Sequence, residues 1–251
     1  MTTADDHTLA RDLAERAGRL LLDLRARGGD PDGLRKAGDR LSHEFLTAEL
    51  AASRPADAVL SEEGLDDKAR LSADRVWIVD PLDGTREFGE EGRTDWAVHV
   101  ALWERGPGLT AGAVALPAQD RVLSTANPPE LPNAGNDPLR IVVSRSRAPR
   151  LVYDVADRIG AELVPCGSAG AKVATVLDGE TDAYLHAGGF YEWDTAAPVA
   201  VATAAGCHAS RIDGAALAYN RADPLMPDIL VCRPAIAGLL LEAIREATHA
   251  I

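Results

Sequence analysis

The chain has 251 residues, 46% hydrophobic and 26% charged, which suits an ordinary globular protein of one large domain or two closely joined smaller ones. A net charge of −13 with no Lys/Arg-rich run argues against a nucleic-acid-binding surface. No apolar run approaches the ~20 residues of a bilayer span, and the acidic start MTTADDHTLARDLAER is unlike a secretory signal, so the cytoplasm is the expected location.

Helical spacing of Leu9, Leu13, Ala17, Leu20, Leu21 and Leu24 predicts a first helix over 9–27, ended by Gly28-Gly29. A second helix is expected over 39–53. The short apolar runs Ala58-Val59-Leu60 and Val76-Trp77-Ile78-Val79 each lead into acidic residues and read as buried strands whose ends present carboxylates. Segment 95–103 alternates and reads as a longer strand, and 109–116 and 121–125 read as strands completing an antiparallel sheet with it. Residues 127–138 (NPPELPNAGNDP) carry the composition of a linker. Beyond it the pattern alternates: strand 141–144, helix 150–159, strand 161–164, helix 169–177, strand 183–186, helix 193–205, strand 229–232 and helix 236–248. Two sub-domains follow, an α+β unit over 1–126 and an α/β unit over 139–251, with a site between them. Cys166, Cys207 and Cys232 are far apart, lack metal-ligand spacing and are expected as buried thiols.

Three acidic segments carry the chemistry: Ser61-Glu62-Glu63-Gly64, Asp80-Pro81-Leu82-Asp83-Gly84-Thr85, and Trp193-Asp194-Thr195-Ala196-Ala197-Pro198. Pro81 fixes its own φ and Gly84 permits a sharp turn, so a short rigid loop holds Asp80 and Asp83 together. Adjacent carboxylates repel unless a cation lies between them. Carboxylates, a carbonyl such as that of Leu82, and water suit Mg²⁺, and the lack of a Cys/His cluster argues against zinc. Taken singly, each segment also fits a plain turn, a solvated acidic loop or a helix N-cap.

Together, SEEG, WIVDPLDGTREF and EWDTAAP resemble the motifs of the inositol monophosphatase superfamily of metal-dependent phosphatases. Thr85-Arg86-Glu87-Phe88, Val143-Ser144-Arg145-Ser146-Arg147, Gly167-Ser168-Ala169 with Lys172, and Tyr219-Asn220 resemble its bacterial 3′(2′),5′-bisphosphate nucleotidase branch, which serves sulfur assimilation. Ala187 stands where inositol monophosphatases place an acid for a ring hydroxyl, and Arg147 where relatives often have His. The resemblance implies a layered αβαβα sandwich, often as a homodimer. It assigns Glu62, Asp80, the Leu82 carbonyl, Asp83 and Asp194 to two or three Mg²⁺ ions, and Glu62, Thr85 and Asp39 to catalysis. Asp39 corresponds to a helix aspartate that orders a further metal or the nucleophilic water, although the usual stretch before it is shortened to Lys36-Ala37-Gly38. Gly84, Thr85 and Asp194 would touch the scissile phosphate end; Ser144, Arg145, Ser168, Lys172 and Tyr219 would read the remaining phosphate, ribose and base. The implied reaction removes the 3′-phosphate of 3′-phosphoadenosine 5′-phosphate, with inositol phosphates and fructose 1,6-bisphosphate as alternative substrates. A non-catalytic nucleotide sensor on the same fold is the alternative of another class. A haloacid-dehalogenase phosphatase fits less well, because D-x-x-D-G-T is one residue longer than its D-x-D-G-T. A serine hydrolase lacks the first glycine of G-x-S-x-G, since Cys166 precedes Gly167-Ser168. His7, His43, His99, His186, His208 and His249 have no evident catalytic partner, and most are expected as structural or exposed residues.

Overall fold

The computed structural model describes residues 3–132, 135 and 137–249, so positions 133, 134 and 136 of the expected linker and the side chain of His249 lie outside the described residues. The chain opens with two long helices, α1 (Thr3–Ala26) and α2 (Pro31–Ser53). Strand β1 (Ala58–Ser61) pairs in parallel with β2 (Arg75–Asp83). A one-turn helix, α3 (Thr85–Gly89), follows directly. Strands β3 (Ala97–Glu104), β4 (Gly108–Leu116) and β5 (Arg121–Ser124) add antiparallel neighbours in chain order, completing a five-stranded sheet β1-β2-β3-β4-β5.

The second half builds another five-stranded sheet, in the order β7-β6-β8-β10-β9. Its members are β6 (Arg140–Ser144), β7 (Glu162–Cys166), β8 (Ala183–Tyr191), β9 (His208–Ser210) and β10 (Leu225–Cys232). The intervening helices are α4 (Arg150–Ile159), α5 (Ala169–Leu177), α6 (Glu192–Ala204) and α7 (Ala237–His249).

Period-two alternation fixes which layer each strand residue enters. Trp77 and Val79 of β2 point into a core shared with α1 and α2, through Leu13, Leu21, Leu46 and Leu50. Val76 and Ile78, one residue out of phase, enter a second core with α5 and α6 and with Val142, Tyr184, Ile229 and Val231 of the second sheet. The opposite face of that sheet, through Ile141, Leu185 and Leu230, packs on α4 and α7. The layers therefore run α1/α2, first sheet, α5/α6, second sheet, α4/α7, which is the αβαβα sandwich expected from the resemblance. Helices α5 and α6 are covered on both sides, and their Ala/Val-rich sequences match that all-round burial.

Several elements extend beyond the sequence pattern. Helix α2 begins eight residues earlier than expected, because Asp30 caps it by accepting from the Gly33 amide and Pro31 occupies the first helical position. Asp39 therefore lies inside the helix rather than at its start. Strand β8 runs five residues past His186, and the three-residue edge strand β9 carries too little alternation to be seen in sequence. All three cysteines are buried free thiols. No helix among the described residues is long and apolar enough to cross a membrane.

Candidate active site

Asp80 and Asp83 are three residues apart, so a regular strand would send their side chains to opposite faces. A β-bulge in β2 prevents this. Asp80 pairs with His99 of β3 whereas Asp83 pairs with Ala97, so three steps along β2 match two along β3. The extra residue, with Pro81 inside the bulge where no ladder donor is needed, returns Asp83 to the side of Asp80. Gly84 then turns the chain with φ 83° into α3. Phe88, fully buried and edge-on to Trp96 at 4.9 Å, pins that short helix in place.

Asp194 arrives from the first turn of α6, where one of its oxygens accepts from the Tyr191 amide at 2.6 Å. Asp80, Asp83 and Asp194 each offer an oxygen within 4.8 Å of the others. Asp80 and Asp83 are 1% and 7% exposed, so their charges have little water to screen them. Glu62, just past β1, lines the same cavity. The end of β1 is braced by His43 of α2, whose Nδ1 lies 2.9 Å from Ser61 Oγ.

The protonation energetics are those of acids forced together. Burial first, then Glu62, Asp83 and Asp194, push Asp80 well above the usual carboxylate range. Burial and the Asp83 charge raise Asp194 to about 6. Desolvation and Asp194 raise Glu62 to about 8. Asp83 behaves differently. Burial pushes it up, but His99, Lys172 and the Gly170 amide outweigh that, and its net shift is downward. Its Oδ2 accepts from Gly170 N at 2.8 Å and lies 3.2 Å from His99 Nε2, while His99 Nδ1 lies 3.2 Å from the Trp193 carbonyl. His99 thus touches a site carboxylate and the peptide preceding Asp194, so its structural role bears directly on the site.

Thr85 Oγ1 donates to the Leu82 carbonyl at 3.1 Å and lies 3.4 Å from Asp39 Oδ1. Asp39 stands behind Thr85 rather than on the cavity wall; burial and Glu63 raise it to about 6. The donor set suits a hard divalent cation: buried carboxylate oxygens and a carbonyl, mutually repelling without one, and no thiolate or imidazole in the three-carboxylate cluster.

The carboxylates close one end of a cavity of about 420 Å³. Ser144, Arg145, Ser168 and Lys172 line it as expected. Ser168 caps α5, its Oγ accepting from Ala171 N at 2.9 Å. Lys172 is 4% exposed, donates to the Gly167 carbonyl and sits 5.3 Å from the Tyr184 ring centre, and its burial lowers its pKa. The Arg145 guanidinium is engaged by Glu87 and Glu90, each at 2.8 Å. Tyr219 does not reach this cavity. It belongs to the segment that leads into β10 on the other side of α6, its hydroxyl 3.3 Å from Thr195 Oγ1, and it lines a separate cavity of about 600 Å³. The adjacent Asn220 is likewise structural, its amide donating to Glu192.

The structure adds wall residues that the sequence reading did not assign: Arg86, Arg147, Tyr184, His186 and Phe190. Tyr184 and His186 share one face of β8 at i, i+2, a spacing visible in sequence had the strand's inward face been known. His186 Nε2 lies 2.8 Å from the Gly188 carbonyl, and burial depresses its pKa to about 4, so the ring is neutral at neutral pH.

Comparison with known proteins agrees with this arrangement. The sequence pattern of the inositol monophosphatase family matches residues 9–249. A 3′-phosphoadenosine 5′-phosphate phosphatase of Mycobacterium leprae is 51% identical, covering 96% of this chain and 94% of its own. The 3′(2′),5′-bisphosphate nucleotidase CysQ of Escherichia coli is 30% identical over 73% of this chain and 78% of its own. The crystal structure of CysQ from Bacteroides thetaiotaomicron, 28% identical, superposes with a TM-score of 0.78 over 91% of this chain and 97% of that one.

Proposed function

Because the chain belongs to the inositol monophosphatase family, we propose that it is a metal-dependent phosphatase that removes the 3′-phosphate of 3′-phosphoadenosine 5′-phosphate, yielding AMP and inorganic phosphate. The carrying observation is the convergence of Asp80, Asp83 and Asp194, from two elements distant in sequence, at one end of a cavity of nucleotide size. Mg²⁺ is the proposed metal, in two or three ions held by Glu62, Asp80, the Leu82 carbonyl, Asp83 and Asp194. When bound, such ions neutralise the charge of the ester and acidify water.

The chain's own groups supply the rest. Water attacks phosphorus in line as the bond from phosphorus to the ribose O3′ breaks. The Thr85 hydroxyl accepts a proton from that water while passing its own to Asp39, which at about 6 is ionised at neutral pH and still basic enough to hold it. Glu62, raised to about 8 without metal, would share in relaying that one proton once bound cations hold it ionised, and the proton goes on to the departing O3′ so that the nucleotide leaves as the alcohol. The Gly84 and Thr85 amides hold the scissile phosphate. Ser144, Ser168 and the buried cation of Lys172 face the remainder of the nucleotide. Residues 1–126 supply most of the carboxylates and 139–251 the nucleotide-reading wall. A homodimer in the cytoplasm is part of the same proposal.

The test is phosphate release from 3′-phosphoadenosine 5′-phosphate, an inositol monophosphate and fructose 1,6-bisphosphate, each with Mg²⁺ and with chelator. Mg²⁺-dependent turnover with the nucleotide favoured is the expected result. Turnover indifferent to chelator, or absent from all three, refutes it.

A further inference from the structure

The Tyr219-Asn220 pair, singled out by its motif, stands behind α6 rather than in the cavity, and its contacts fall on both sides of Asp194. The Tyr219 hydroxyl donates to Thr195 Oγ1 at 3.3 Å, and Thr195 in turn donates to the Glu192 carbonyl at 3.3 Å. Glu192 is fully buried. Its Oε2 accepts from the Asn220 amide at 2.7 Å and its Oε1 from the Arg221 amide at 2.8 Å. The first turn of α6 is thus gripped before and after the carboxylate that it carries into the cavity.

Asn220 also reaches the opposite half of the chain. At φ 57°, a left-handed conformation that asparagine tolerates better than most residues, its amide meets Glu192 while its side chain meets Arg70. The Arg70 guanidinium, 1% exposed, donates from Nη1 to Asn220 Oδ1 at 2.7 Å and from Nη2 to the Arg221 carbonyl at 2.8 Å. Asn220 Nδ2 returns a bond to the Arg70 carbonyl at 3.3 Å. Arg70 also holds both oxygens of Asp66, at 2.6 and 2.9 Å, and Lys68 Nζ donates to the Ala222 carbonyl at 2.7 Å. Residues 66–70 belong to the connection from β1 to β2 that begins with Glu62. A continuous set of bonds therefore runs from that connection, through Arg70 and Asn220, to the turn that carries Asp194. A buried guanidinium is tolerated only when its donors find acceptors. Here the acceptors come from both halves of the chain, so the bonds form only when the halves are correctly placed. Glu62 and Asp194 feel each other's like charge, and without such ties their carriers would be driven apart.

We propose that Asn220, with Tyr219, is a positioning element of the metal site: it fixes the Glu62 connection against the first turn of α6, so that donors from the two halves of the chain stand in place for one cluster of divalent ions. The proposal rests on the metal-dependent phosphatase reading above. Both residues act through Glu62 and Asp194, from outside the cavity lining.

The test titrates Mg²⁺ calorimetrically into the metal-free, full-length protein, for wild type, Asn220→Gly, Tyr219→Phe and Arg211→Ala. The melting temperature in chelator and phosphate release from 3′-phosphoadenosine 5′-phosphate are measured on the same samples. Glycine keeps the left-handed backbone and the amide bonded to Glu192 while removing the side chain that reaches Arg70. Tyr219→Phe deletes one hydroxyl and leaves the ring in its packing. Arg211→Ala is the control for lost stability: it breaks two bonds of 2.6 Å to Asp228, outside the cavity lining and the carboxylate cluster. Asn220→Gly should weaken Mg²⁺ binding roughly 10- to 100-fold and Tyr219→Phe about threefold. The Mg²⁺ concentration for half-maximal phosphate release should rise by the same factors, with kcat at saturating Mg²⁺ within about threefold of wild type. Arg211→Ala should melt lower and bind Mg²⁺ as wild type does. Wild-type Mg²⁺ affinity in folded Asn220→Gly overturns the proposal, as does an equal loss of affinity in Arg211→Ala, which would assign the effect to stability alone. If Asn220→Gly does not fold, wild-type affinity in Tyr219→Phe overturns it. In each of these cases Mg²⁺-dependent phosphate release by the wild type leaves the phosphatase reading standing. Wild-type protein that neither binds Mg²⁺ nor releases phosphate refutes that reading, and the proposal with it.

Discussion

Replacing Asp194 by Asn should make the metal-free protein more stable and the enzyme far slower. The carboxyl moves from 3.8 to about 6 on folding, through burial and then through Asp83. That difference weakens the folded state by roughly 3 kcal/mol at pH 7. Asn keeps the shape and the oxygen that accepts from the Tyr191 amide, so the N-terminal turn of α6 survives. A weaker neutral cap bond offsets part of the gain, leaving about 1–2 kcal/mol, or roughly 2–8 °C in Tm for a chain of this length. The sign follows from linkage. A carboxyl raised on folding binds more protons in the native state between 3.8 and about 6, so native stability falls as pH rises through that window. The advantage of Asp194→Asn should therefore be absent below about pH 4 and fully developed above about pH 6.5. Differential scanning fluorimetry in chelator across that range reads it. With Mg²⁺ present, wild type should gain stability and the variant much less, and turnover should fall on the order of 10³-fold, about 4 kcal/mol. A variant that melts lower than wild type in chelator at pH 7.5, or that keeps near-normal turnover, refutes the argument that this carboxylate is held against repulsion for a cation.

Thr85→Ala removes the hydroxyl that links Asp39 to the cavity and should lower kcat on the order of 10²-fold with KM little changed, measured by phosphate release; an unchanged kcat would remove Thr85 from the proton path. Gly170→Ala places a Cβ against His99 Nε2 and forces the imidazole away from Asp83. Its Mg²⁺ affinity, read by calorimetric titration, should weaken roughly 10- to 100-fold, while turnover recovers in excess metal. Affinity equal to wild type would show that the His99 contact does not orient the ligand.

The three acidic segments were legible as chemistry because each combines a carboxylate with residues whose backbone role is local: Pro81 and Gly84 around the paired aspartates, the strand before Glu62, and the helix start at Asp194. Local pattern also gave nearly every strand and helix, since alternation and helical spacing record which face is buried. The substrate wall was less legible. Arg145 and Tyr219 were both reasonable contacts by motif, yet one is held by Glu87 and Glu90 and the other lines a different cavity. Neither fact has a local signature, because each depends on where distant elements come to rest.

Sequence alone located the three acidic segments, their order along the chain and most of the strands and helices, because these follow from side-chain chemistry and short-range periodicity, while the layered architecture was implied by the resemblance of its motifs to the family. The tertiary structure decided that Asp80 and Asp83 share a side, through a bulge defined only by pairing against His99 and Ala97. It also decided that the Arg145 guanidinium is held by Glu87 and Glu90. Register and ion pairing are relations between separate segments, and the energy that fixes them appears only when those segments pack.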